Sequence, residues 1–160
     1  MQAAQPEQAT QFLSFTLAGS DYGLPILKVR EILSYEGSTP VPGTPASIRG
    51  VVNVRGAVVP VVDLAVKFGR AATDATKRTC VLVVDAVSGG EALTIGLLAA
   101  AVNEVVELAP GDVEPPPSFG TGVRVDYLLG LGKTPAGFVL LLDLDRVLCA
   151  SEVEIAAAAV

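Results

Sequence analysis

The stretch between residues 45 and 64, PASIRGVVNVRGAVVPVVDL, constrains the fold of this chain most. It contains two runs of mainly β-branched residues, 51–54 and 58–62, which are separated by Arg55 and Gly56. Val-rich runs joined by two residues that include Gly are typical of a β-hairpin with a tight turn. The stretch therefore predicts two antiparallel strands in direct succession.

The predicted hairpin is almost free of charge. Between residues 46 and 62 the only charged side chains are those of Arg49 and Arg55. Two alternatives stay open for each arginine. It is a solvated residue near a turn, or it is a cation that docks a carboxylate, because arginine is favoured where interfaces meet carboxylates.

The composition fits a small folded β protein. The chain has 160 residues, of which 51% are hydrophobic and 18% are charged, so it can bury a sizeable core as one domain or two small lobes. Its 16 glycines and 11 prolines are scattered, which is typical of many short strands joined by turns.

Several function classes are disfavoured by the same composition. The net charge is −6 and there is no basic run, which argues against nucleic acid and anionic membrane surfaces as partners. No apolar run reaches the roughly 18 residues of a membrane helix, and residues 1–10 are too polar for a secretory leader, so we expect no membrane insertion. Cys80 and Cys149 are expected to be unpaired in a reducing cytoplasm.

The residues that usually support catalysis are missing. The chain has no histidine, no cysteine pair with zinc spacing and no phosphate-binding loop. Asp63 and Asp143 each precede a Leu at the start of a short apolar stretch, where a helix N-cap is the expected role. We therefore expect no enzyme activity, no cofactor and no metal.

The order of elements is doubled along the chain. Each half shows a hairpin, a strand with the pattern Val-x-Glu (residues 29–31 and 102–104), a loop rich in Pro and Gly, a second hairpin, and an Asp-Leu pair that begins a helix. This order predicts two similar β lobes, and a single β-sandwich is the alternative. The expected divisions are a flexible tail at 1–10, one domain over 11–150 with lobe one at about 11–70, lobe two at about 78–142 and a final helix from about 143, and a helix end or tail at 151–160.

Six motifs give the chain a resemblance to the CheW family of chemotaxis coupling proteins over residues 12–148. They are FLSFTL (12–17), YGLPI (22–26), VREI (29–32), PASIRGVVNVRG (45–56), VPVVDL (59–64) and YLLGLG (127–132). The resemblance implies a mainly β fold of two SH3-like, five-stranded β-barrel lobes packed side by side, with short helices and a C-terminal helix.

The resemblance also implies a function. Members of this family are non-enzymatic adaptors that couple the cytoplasmic tip of a methyl-accepting chemoreceptor to the regulatory domain of a CheA-type histidine kinase. The expected location is therefore the cytoplasm, at chemoreceptor arrays, with other CheW-like proteins as further neighbours. The alternative is a receptor-binding decoy that has lost its contact with the kinase.

The receptor-contacting positions of the family match Val29, Glu31, Gly50, Arg55 and Val105. For Val29 and Val105, packing in the core is the alternative. Glu31 and Arg55 have opposite charges, so they pair either with each other or with receptor residues.

The expected contacts with the kinase or a ring neighbour match Glu114 and Phe119. Two departures from the family pattern accompany them. Some members carry an Arg where this chain has Glu114, and a Val-Asp pair is common where it has Ala99 and Ala100. These changes predict a paralogue with a co-adapted partner in a chemosensory-like pathway that controls flagella, gliding, pili or another output.

Overall fold

The structure, a computed structural model, describes residues 10–88, 91–116 and 125–148. It is mainly β, as predicted, and its two helices are each one turn long. The strands are β1 (Thr10–Leu17), β2 (Ser20–Pro25), β3 (Val29–Ser34), β4 (Ile48–Val54), β5 (Ala57–Val62), β6 (Cys80–Ser88), β7 (Glu91–Ala99), β8 (Ala101–Leu108), β9 (Val113–Glu114), β10 (Leu128–Thr134) and β11 (Gly137–Leu142). The helices are α1 (Leu64–Lys67) and α2 (Leu144–Val147), and 3-10 turns occupy Ile26–Lys28, Pro110–Asp112 and Val125–Tyr127.

The central hairpin forms as predicted from its turn residues. Arg55 and Gly56 have φ angles of +52° and +88°, which is the conformation of a type I′ turn. The side chain of Asn53 accepts a hydrogen bond from the Gly56 N–H at 2.9 Å and closes the turn. A type I′ turn matches the twist of the two strands, so β4 and β5 pair directly.

The strands form two sheets that do not follow the predicted division of the chain. Sheet A has the order β8-β1-β2-β11-β10-β9, and sheet B has the order β3-β6-β7-β5-β4. The third strand of each half pairs with the first hairpin of the other half, β3 with β6 and β8 with β1. The assignment of 11–70 to one lobe and 78–142 to the other is therefore wrong, because the sequence pattern sets the faces of a strand but not its neighbours.

Three apolar cores follow from the alternation of side chains along the strands. On β6, Leu82 and Val84 point into the largest core, whereas Val81 and Val83 point into a smaller one that belongs to sheet B. The largest core takes side chains from both sheets and both helices, and it therefore joins the two sheets. A third core, around Phe12, belongs to sheet A.

The end of the chain differs in detail from the prediction. The final helix covers four residues, and the helix end or tail predicted at 151–160 lies outside the described residues. Asp143 occupies the N-cap position, but its side chain makes no capping hydrogen bond. It lies instead 3.6 Å from Arg146, so its predicted role as a cap is wrong for the side chain. In the described part of the chain, no helix is long and apolar enough to cross a membrane.

Candidate docking site

An open groove of about 560 Å³ lies beside the tip of the β4–β5 hairpin, and we call it the docking groove. Strands β3, β4, β5, β6 and β7 of sheet B all contribute to it. Its lining residues are Arg30, Glu31, Val54, Arg55, Ala57, Val58, Val59, Val83, Ala92, Leu93 and Thr94. Seven of these eleven residues are apolar, and the charged groups come from β3 and from the turn.

Arg55 and Glu31 form an ion pair in this groove. Arg55 Nη1 donates to Glu31 Oε2 at 2.6 Å, and the pair connects β3 and the β4–β5 turn, which belong to the two edges of sheet B. The Arg55 side chain is 79% exposed and that of Glu31 is 21% exposed. Exposed ion pairs contribute only about 0–1 kcal/mol to folding, so this one mainly orients the guanidinium.

Gly50 has a structural reason to be glycine. Its φ angle is +145°, and a Cβ atom at this position would lie 2.5 Å from the carbonyl oxygen of Thr39. Thr39 and Val51 exchange two backbone hydrogen bonds of 2.8 and 2.9 Å, which bring the two segments this close. Gly50 is buried, so it supports the strand that carries Arg55 and does not line the docking groove.

The two valines of the predicted receptor site lie apart from each other. Val29 begins β3, is partly buried and packs against the largest core, so the core alternative holds for it. Val105 lies on β8 in sheet A and is 48% exposed, so it is not a core residue. The structure therefore brings Glu31 and Arg55 together, places Val29 two residues from Glu31, and leaves Val105 on the other sheet.

Arg49 docks a carboxylate, as one of its two alternatives expected, but this carboxylate belongs to its own chain and not to a partner. Its Nη1 donates to Asp63 Oδ2 at 3.1 Å and to the carbonyl of Thr73 at 2.8 Å, and its guanidinium lies over the ring of Tyr35. Asp63 is fully buried and also accepts hydrogen bonds from Ala65 N, Thr73 N and Thr73 Oγ1. Arg49 thus neutralises a buried carboxylate that caps α1, which confirms the predicted cap at Asp63.

Glu114 has a partner within the chain. It lies on β9, and Lys133 on the adjacent β10 is 2.5 Å from its Oε2. The hydrogen bond from Lys133 to Glu114, together with the negative charge, raises the pKa of the lysine. The reversed charge at position 114 is therefore compensated locally, and Phe119 lies outside the described residues.

The second departure from the family pattern, Ala99 and Ala100, has a backbone hydrogen bond to β1. Ala99 is buried and the N–H of Ala100 donates to the carbonyl of Thr16 at 2.9 Å. This bond connects the turn between β7 and β8 to β1 without a carboxylate.

Arg30 is a groove residue that the sequence reasoning missed. It lies between Val29 and Glu31, and the alternation of a regular strand would turn it away from Glu31. The only sequence signal was a charged residue beside a predicted site residue.

Comparisons with known proteins agree with this architecture. A model of the CheW-like domain matches residues 11–152. The chemotaxis protein CheW of Klebsiella aerogenes is 35% identical over 142 residues, which are 89% of this chain and 83% of the relative. The chemotaxis protein CheW of Rhizobium meliloti is 30% identical over 146 residues, which are 91% and 92% of the two chains.

A further relative and a solved structure extend the match. Protein FrzA of Myxococcus xanthus is 33% identical over 128 residues, which are 80% of this chain and 76% of FrzA. The crystal structure of the scaffolding protein TtCheW from Thermoanaerobacter tengcongensis superposes with a TM-score of 0.79 at 29% identity. The superposition covers 90% of this chain and 95% of TtCheW. With two β-sheets that exchange strands between the halves of the chain and a family match over residues 11–152, the chain belongs to the CheW family of chemotaxis adaptor proteins.

Proposed function

We propose that this chain is a non-enzymatic adaptor that couples the cytoplasmic tip of a methyl-accepting chemoreceptor to the regulatory domain of a CheA-type histidine kinase. The observation that carries the proposal is the docking groove, in which an ion pair holds the exposed Arg55 beside apolar side chains of β4 and β5. In this role the chain works in the cytoplasm and is recruited to receptor arrays.

A helical partner fits the shape and chemistry of the groove. A receptor tip is a helical hairpin, and amphipathic helices bind grooves through one apolar face. Val58 is 38% exposed and offers apolar contact beside Arg55. Charged groups at the edge of such an interface steer the partner and fix its orientation.

The kinase contact is proposed on a different surface. Glu114 lies on β9 in sheet A, whereas the docking groove belongs to sheet B. Separate sheets allow the receptor tip and the kinase domain to bind at the same time, which an adaptor requires. Phe119, in the Pro-rich segment after Glu114, is proposed as an aromatic anchor for the kinase domain or for a neighbouring CheW-like protein.

The chemistry of the groove favours recognition over catalysis. Glu31 is paired with Arg55, and Arg30 lies 3.5 Å from Asp85. A general base needs a titratable group that is available to a substrate, and Glu31, the only carboxylate among the described lining residues, is already neutralised by Arg55. Among the described residues, no group of three or more metal-ligating side chains occurs.

The test is formation of a ternary complex from purified components. A soluble helical-hairpin fragment of a receptor tip and an isolated kinase regulatory domain are each titrated into the chain, and then both together. We expect each to bind alone and the three to elute as one complex in size-exclusion chromatography. Binding of the receptor tip without the kinase domain would indicate the decoy alternative, and binding of neither would overturn the proposal.

A further inference from the structure

Arg30 lies in a β-bulge that changes the direction of its side chain. In the pairing of β3 with β6, Val29 is opposite Val84 and Glu31 is opposite Val83, so Arg30 is an extra residue on β3. Successive residues of a regular strand point to opposite faces, and a bulge re-aims the side chain of its extra residue. As a result, Arg30 and Glu31 both line the docking groove.

The Arg30 guanidinium is held in place but remains available. Its Nη1 donates to Thr94 Oγ1 at 3.2 Å and lies 3.5 Å from Asp85 Oδ1, and Asp85 and Thr94 are themselves opposite each other on β6 and β7. Both contacts use the same nitrogen, whereas a guanidinium carries five N–H donors. The side chain is 57% exposed, so donors remain for a partner in the groove.

Sheet A contains an equivalent residue, which serves as an internal control for the structural role of Arg30. In the pairing of β8 with β1, Glu104 is opposite Ser14 and Val102 is opposite Phe15, so Asn103 is the extra residue of an equivalent bulge.

Asn103 makes contacts that correspond to those of Arg30. Its Nδ2 donates to Thr16 Oγ1 at 3.2 Å and lies 3.4 Å from Asp21 Oδ1, and Thr16 and Asp21 are opposite each other on β1 and β2. A short neutral amide is therefore sufficient to connect the bulge to the adjacent hairpin. The positive charge and extra length of Arg30 exceed what this structural role needs.

We infer that Arg30 is a specificity-determining residue of the docking groove, where it and Arg55 select a helical segment that presents two carboxylates. The inference rests on the proposed function, because it defines the chemistry of the receptor segment that binds there. Arg30 pairs with Asp85 and Arg55 pairs with Glu31, so the charges at the groove balance in a chain whose net charge is −6. In each pair the arginine is the more exposed member, with 57% against 44% and 79% against 21%, so the groove presents guanidinium groups to a partner and favours an acidic segment.

The test replaces Arg30 by asparagine, the residue at the equivalent bulge of sheet A. Arg30→Asn replaces the charged guanidinium by a neutral amide like that of Asn103, and Arg78→Asn removes an equal charge from an exposed residue that precedes the other end of β6. Each variant is titrated with a soluble helical-hairpin fragment of a receptor tip at two salt concentrations. The titrations are repeated with fragments in which single exposed Glu or Asp residues are changed to Gln or Asn.

We expect Arg30→Asn to weaken binding by about threefold to tenfold and to lower its salt dependence, whereas Arg78→Asn has no effect. At least one amide variant of the fragment should then lose no further affinity when combined with Arg30→Asn, which identifies the paired carboxylate. The melting temperatures of Arg30→Asn, Arg78→Asn and the wild type should agree within a few degrees. If the wild-type chain binds the fragment and Arg30→Asn binds it equally well with the same salt dependence, the inference is wrong and the proposed function stands. If the wild-type chain does not bind, both are wrong.

Discussion

Reversal of the charge at Arg55 separates a role in binding from a role in folding. In Arg55→Glu, the new carboxylate replaces a guanidinium that lies 2.6 Å from Glu31 Oε2. The variant loses an exposed pair worth about 0–1 kcal/mol and gains a repulsion of similar size. Because 1 kcal/mol shifts the melting temperature of a domain of this size by about 2–4 °C, we expect the two terms together to lower it by at most about 8 °C.

The expected effect on receptor binding is larger. Loss of one charge at a partly desolvated interface typically costs about 2–5 kcal/mol, and 1.4 kcal/mol corresponds to a factor of ten. Arg55→Glu should therefore weaken the affinity for a receptor-tip fragment by at least about tenfold in calorimetric titrations. Binding of the kinase regulatory domain should persist, because its proposed contact lies on sheet A.

A double variant provides the control. In Arg55→Glu combined with Glu31→Arg, the two charges exchange places and the ion pair can form again. We expect this variant to regain the melting temperature of the wild type but not its affinity for the receptor tip. Restored affinity would show that the pair acts only by stabilising the hairpin. Unchanged affinity in Arg55→Glu alone would refute the site assignment, as would unfolding of both single variants.

Three further predictions concern the support of the site and the second partner. Gly50→Ala places a Cβ atom against the Thr39 carbonyl and should cost at least about 1–3 kcal/mol in chemical denaturation, whereas Gly111→Ala, with open space around it, should be neutral. Asp63→Ala leaves the Arg49 charge without its buried partner and should cost about 3–5 kcal/mol, whereas Asp143→Ala, at the equivalent position of the other half, should cost less than about 1 kcal/mol. Phe119→Ala should weaken binding of the kinase regulatory domain in a pull-down while the melting temperature changes by only a few degrees, and a large loss of stability with unchanged binding would contradict this.

Features that depend on neighbouring residues were predictable from the sequence. The turn at Arg55 and Gly56 and the cap at Asp63 each depend on a few adjacent residues, and the structure has both. The strand at residues 29–31 was also predictable, since its Val-x-Glu pattern is local.

Features that depend on distant residues were not predictable. Arg49 binds the carbonyl of Thr73, which is 24 residues away along the chain, so no local pattern reveals it as a structural cation. The bulge that turns Arg30 into the docking groove depends on the register of β3 against β6, which is likewise set by tertiary contacts. The receptor positions taken from the family resemblance included Glu31 and Arg55 but not Arg30. The place of the Arg30 side chain in the groove depends on the register of β3 against β6, which the resemblance does not give.

The exchange of strands between the halves explains how two separate surfaces can belong to one adaptor. Sheet B takes β3, β4 and β5 from the first half and β6 and β7 from the second, and sheet A is assembled from both halves in the same way. The docking groove therefore needs residues from both halves, such as Arg55 from the first half and Thr94 from the second. Because the largest core also joins both sheets, neither sheet can lose its packing without disturbing the other. A receptor contact on sheet B and a kinase contact on sheet A would thus be held at a fixed separation by the fold itself.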